Sequence, residues 1–137
     1  MKKSATIEII KSKFEGLNSS AQIPLMKKGK SFTAILRTEG IEVDNLRAQK
    51  LIEWKAFEQA MSLLIKAGPE KGVAKGNAMN GKLGDTKLPT DSIEGGIAET
   101  VYKKAIGSTV FRRISPISTI LSWAGLCSNN RGFLTLK

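Results

Sequence analysis

A chain of 137 residues with 41% hydrophobic and 25% charged side chains has the length and balance of one globular domain, which excludes a disordered or fibrous polymer. It contains no histidine and a single cysteine, Cys127, so imidazole relays, the usual zinc sites and an internal disulfide are excluded. The net charge of +10 points to a polyanionic partner, and its distribution sharpens that: after Glu99 come Lys103, Lys104, Arg112, Arg113, Arg131 and Lys137 and no acid.

The first predicted element is a helix in SATIEIIKSKFEGL, where Ile7, Ile10, Phe14 and Leu17 recur at helical spacing. Ser4 or Thr6 is its expected cap, and Gly16 lies near its end. Next, KSFTAILRTEGIEVDNL reads as a β-hairpin over residues 32–45. Glu39-Gly40 is its turn, with Ile41 and Val43 facing inward against Glu42 and Asp44. The segment EWKAFEQAMSLLIKAGP carries a wide apolar stripe of Trp54, Phe57, Met61, Leu64 and Ile65. This is a core helix stopped by Gly68-Pro69.

Residues 68–90 hold five glycines and four lysines and show no sustained period. A structureless stretch this long is expected to be a flexible loop, an internal boundary or a loop that a ligand orders. DSIEGGIAETVYKK restarts a helix with Asp91 and Glu94 as a capping-box pair, and Gly95-Gly96 allow a neighbour to approach closely. STVFRRI fits a short strand or a short helix. SPISTILSWAGL is a helix capped by Ser115, with Pro116 in its first turn and Gly125 as its stop. The chain ends in LCSNNRGFLTLK, a hairpin with Asn129, Asn130 and Arg131 at its tip. The expected fold class is α+β: one small domain over residues 1–137, about four helices with two β-hairpins, its C-terminal part winged-helix-like.

Three stretches carry candidate chemistry. In GNAMNGKL, Gly76, Gly81 and Lys82 match a phosphate-binding loop, but Leu83 stands where a magnesium-binding hydroxyl is required. The flanks supply neither the buried strand nor the helix such a loop joins. A looser role remains, in which Lys71, Lys75, Lys82 and Lys87 track phosphates. Asp44, Glu53 and Lys55 place two carboxylates and a lysine in the order that a metal-dependent nuclease uses. That spacing resembles the restriction-endonuclease-like nuclease superfamily, and the resemblance implies Glu8 or Glu15 as an upstream ligand and LIEWK as a strand. Finally, the helix, VFRR, helix and hairpin of the last third resemble parts of a winged helix, which implies a helix in the major groove and a hairpin on the backbone.

The expected function is therefore non-catalytic binding of nucleic acid, duplex DNA ahead of RNA, through Lys103, Lys104, Arg112, Arg113 and Arg131. Base stacking by exposed aromatics is not evident in the sequence. The alternatives are a Mg-dependent nuclease using Asp44, Glu53 and Lys55, and an assembly module that meets an acidic partner. No cofactor, metal or membrane is called for, a cytoplasmic location is the default, and an oligomer is compatible with the composition.

Overall fold

The computed structural model describes residues 5–137. In its first half, alternating side chains pair four strands into an antiparallel meander: β1 (Ser20–Pro24), β2 (Ser31–Leu36), β3 (Gly40–Val43) and β4 (Leu51–Glu53), in that spatial order. Ala21 and Ile23, Phe32 and Ala34, Ile41 and Val43, and Ile52 are all buried, so one face of the sheet is the core face. Gly40 pairs with Glu53 at the edge of this register, and any side chain there would strike the Ile52 carbonyl. The predicted hairpin is thus the middle of a larger sheet. β1 was not expected: its apolar alternation is only two residues long and it ends in proline. As an edge strand it tolerates Pro24, because a missing N–H costs no ladder bond there.

Helix α1 (Thr6–Lys13) precedes the sheet and α2 (Trp54–Ala67) follows it directly. Ile10 and Phe14 of the first stripe are buried, whereas Leu17 lies beyond the helix and is exposed. Of the two expected caps, Ser4 lies outside the described residues. Thr6 is a buried member of the helix itself, its Oγ1 without a partner, and Ala5 occupies the cap position. The α2 stripe packs as read: Phe57, Met61 and Leu64 are fully buried, each contributing about 2 kcal/mol of apolar burial. Trp54 is half-buried and donates its indole N–H to the Thr38 carbonyl at 2.9 Å.

Helix α3 (Ile93–Thr100) packs on α2 beside α1, and helix α4 (Ile114–Trp123) packs against the Ser20–Pro24 strand and the Cys127–Asn130 strand. The cap of α3 is Ser92 rather than Asp91. Its hydroxyl accepts the Gly95 N–H at 3.1 Å and donates to the Pro89 carbonyl at 2.6 Å. The two helical glycines do serve close approach. A β-carbon on Gly96 would lie 2.8 Å from Leu63 Cδ1, and one on Gly95 would meet the Pro89 carbonyl.

The second sheet runs β5-β7-β6, from β5 (Val73–Ala74), β6 (Cys127–Asn130) and β7 (Phe133–Leu136). The C-terminal hairpin turns on Arg131 and Gly132, the latter at φ 84°, so Asn129 and Asn130 belong to β6 rather than to the tip. The glycine-rich stretch supplies β5 as the third strand. It then folds over a small apolar cluster of Ala78, Leu83, Leu88, Ala98 and Val110. Residues 103–113, which include most of STVFRRI, form neither strand nor helix. The whole is one small α+β domain of four helices and two antiparallel sheets.

Candidate nucleic-acid interface

Glu94 organises the region where the basic residues lie. It faces inward from α3, fully buried, and its Oε1 accepts the backbone N–H of Arg113 at 2.6 Å and of Ile114 at 3.0 Å. It therefore caps α4, a helix far from it in sequence, in place of the expected Ser115 and in place of its own expected role in a capping box for α3. Burial pushes the Glu94 carboxyl up to about 7, against the pull of those two N–H donors and of the Arg113 and Arg112 guanidinium groups.

Arg113 is buried too, and this corrects its expected place among the phosphate-binding residues. Its guanidinium lies 4.1 Å from the Tyr102 ring centroid and 4.9 Å from that of Phe111. It donates to the Gln49 side chain and to the Phe111 carbonyl. Stacked and hydrogen-bonded in this way, it ties the 44–50 loop to the segment before α4. The Tyr102 hydroxyl in turn donates to Glu53 at 3.0 Å, and burial holds that phenol up at about 12. Arg113 is structural, and its neighbour Arg112 is exposed.

Arg112 sits where two grooves of about 620 and 580 Å³ meet, and with Met79 it lines both. The larger groove also holds Lys75, Lys87 and Arg131, and the smaller holds Arg47 and Lys104. Six cations thus line the two adjoining grooves, which together make a trough with no carboxylate among its lining residues. The ion pairs among the described residues, Glu8–Lys11 and Arg37–Glu42, lie elsewhere. Lys75 is fixed from both sides of its backbone. Its N–H donates to the Gly132 carbonyl at 2.9 Å and its carbonyl accepts from Glu94 N–H at 2.9 Å. Burial holds the Lys75 ammonium below its ordinary pKa, and the nearby Arg112 guanidinium adds to this. Cys127, whose charge would oppose the shift, is itself pushed up to about 11 by burial and is a neutral thiol near pH 7. A strip of cations with no acid among them favours a polyanion over a cationic or neutral ligand.

Of the five residues expected to bind nucleic acid, Lys104, Arg112 and Arg131 come together in the trough. Lys103 is exposed but lines neither groove, and Arg113 is internal. Lys75 and Lys87, read as loose phosphate trackers, are part of the trough, while Lys71 and Lys82 are not. Arg47 was missed altogether. It lies far from the others in sequence, in a balanced stretch, and only the fold brings it near.

The other candidate chemistries do not assemble. β4 ends at Glu53 and α2 begins at Trp54, so LIEWK is half strand and half helix. Glu53 pairs with Gly40, four residues along β3 from Asp44, which places the two carboxylates roughly 13 Å apart along the strand. Asp44 instead accepts the Thr33 N–H at 2.8 Å, and Glu53 accepts from Tyr102. At that separation the two carboxylates do not hold one metal ion. In GNAMNGKL the amides that would cradle a phosphate are committed within the loop. Asn77 N–H donates to Lys87, Gly81 N–H to Asn77, and Lys82 N–H to the Asp85 carboxylate. The β6–β7 hairpin follows α4 in the chain order of a wing, and α4 is buried from Ile114 to Leu121 except at half-buried Ser115.

No protein-family model, no curated protein and no solved structure matches the chain. No helix of the described residues is long and apolar enough to cross a membrane.

Proposed function

We propose that this protein binds nucleic acid without catalysis, laying the sugar-phosphate backbone along the trough between the 75–88 loop, the 104–112 segment and the β6–β7 turn. The observation that carries this is the gathering of Lys75, Lys87, Lys104, Arg47, Arg112 and Arg131 in one concave strip that holds no carboxylate. Arg47, Arg112 and Arg131 offer bidentate donors to phosphate oxygens, and the lysines act as point charges.

Neutralising phosphates releases counterions, so affinity must fall with salt in proportion to the contacts made. With about six contacts, the logarithm of the association constant should fall with that of salt at a slope near −4 for a single strand. That amounts to a loss of roughly a few hundredfold between about 50 and 200 mM salt. Fluorescence anisotropy with a labelled oligonucleotide reads this directly. A slope near zero, or displacement by polyglutamate as readily as by oligonucleotide, would instead favour an acidic protein partner.

A further inference from the structure

We infer that the smaller half of the trough is a pocket for an unpaired nucleobase, so that the preferred ligand is a single strand rather than a duplex. This rests on the reading above and adds to it the class of nucleic acid. The two halves differ in their apolar lining. The larger groove sets Met26, Ala74, Pro89 and Ile114 among polar residues, whereas half of the residues lining the smaller groove, about 580 Å³, are apolar: Leu46, Ala78, Met79, Val110 and Phe111, beside Arg47, Lys104 and Arg112. That volume lies in the range of small-molecule sites, and apolar side chains beside cations match a base with its phosphates on either side.

Two features of the wall are not needed by the core. Met79 is 69% exposed although it sits among residues that pack. A thioether of this kind lies favourably against an aromatic face. Phe111 is only half-buried, and Arg113, itself held by Gln49, packs against its ring and holds it in position. A fixed ring is a better stacking platform than a mobile one, since less freedom is lost on binding. Asn45 and Thr109 place an amide and a hydroxyl at the same groove, where they can meet the polar edge of a base. The trough is also concave, which suits a flexible strand, whereas a duplex is read by convex elements inserted into its grooves.

The test compares ligands that carry the same backbone but differ in their bases. Labelled oligothymidine and oligouridine of about 12 nucleotides, an abasic strand of equal length and charge, and a duplex of that length are titrated by anisotropy at low salt. The expected result is that a strand with bases binds about tenfold tighter than the abasic strand and also tighter than the duplex. Charge alone predicts the reverse order for the duplex, whose charge density is higher. Met79→Ala should narrow the gap between base-bearing and abasic strands several-fold. Equal binding of the two strands, or a tighter duplex, overturns the pocket while salt-sensitive binding of the abasic strand keeps the trough. Binding of none of these polymers overturns both.

Discussion

Arg112→Glu is expected to weaken oligonucleotide binding on the order of 50-fold at low salt, while Lys103→Glu changes it by less than about threefold. Arg112 is the basic residue that lines both grooves, so the substitution removes a bidentate donor and sets a carboxylate at their junction. Lys103 is exposed, carries the same charge and lies nearby in sequence, but it lines neither groove. The contrast separates a located contact from a general attraction to positive charge. Neither change should alter stability by more than about 0.5 kcal/mol, because both side chains are exposed and form none of the ion pairs described above. Urea denaturation checks that point alongside the anisotropy.

The second large effect is on stability and has a sign fixed by Glu94. Its folded pKa of about 7 lies above the ordinary carboxyl value of 4.5, so the native state keeps a proton that the unfolded chain releases. The stabilisation is complete below about pH 4.5 and is lost as pH rises through 7, a change of about 3 kcal/mol. For a chain of this size that is a fall of roughly 10 °C in Tm between pH 5 and 8. The window is clean, because the chain has no histidine and no other side chain ordinarily titrates there. Glu94→Gln keeps an acceptor for the Arg113 and Ile114 N–H groups but cannot ionise, so its Tm should be nearly flat over the same range. Glu94→Ala should lose about 2 kcal/mol or more throughout, since the first turn of α4 then has two buried donors without a partner. A wild-type Tm that rises across this window would show that the carboxylate, not the acid, is the favoured native form.

What the sequence revealed depended on whether the determining contacts are local. The α2 stripe and the inward pair Ile41 and Val43 follow from periodicity, and each packs as its period requires, while the final hairpin follows from its turn residues. Glu94 has the spacing of a capping-box partner three residues after Asp91, yet it satisfies a helix twenty residues further on. No local pattern distinguishes the two roles. Arg112 and Arg113 are identical in type and adjacent. One is exposed and the other buried only because Tyr102, Phe111 and Gln49 converge on the second. The lysine loop was legible as basic but not as ordered, because its anchors, Leu83 and Leu88, are too sparse to show a period. The trough was half visible for the same reason: its C-terminal cations stand out in an acid-free stretch, whereas Arg47 and Lys75 reach it through strand pairing and backbone hydrogen bonds.

A competing basic surface exists within the same molecule, and it makes the decisive experiment a matter of location. Lys27, Lys28 and Lys30 are exposed between β1 and β2, while Lys11 and Lys13 lie over the rings of Trp54 and Trp123. Backbone amide NMR shifts recorded while a single-stranded oligonucleotide is added will distinguish the two faces. Shifts should concentrate at residues 75–80, 104–112 and 131–132 and leave α1 and β1 unmoved. Shifts centred on residues 11–13, or spread evenly over all exposed lysines, would mean that the trough is not where the polyanion lies.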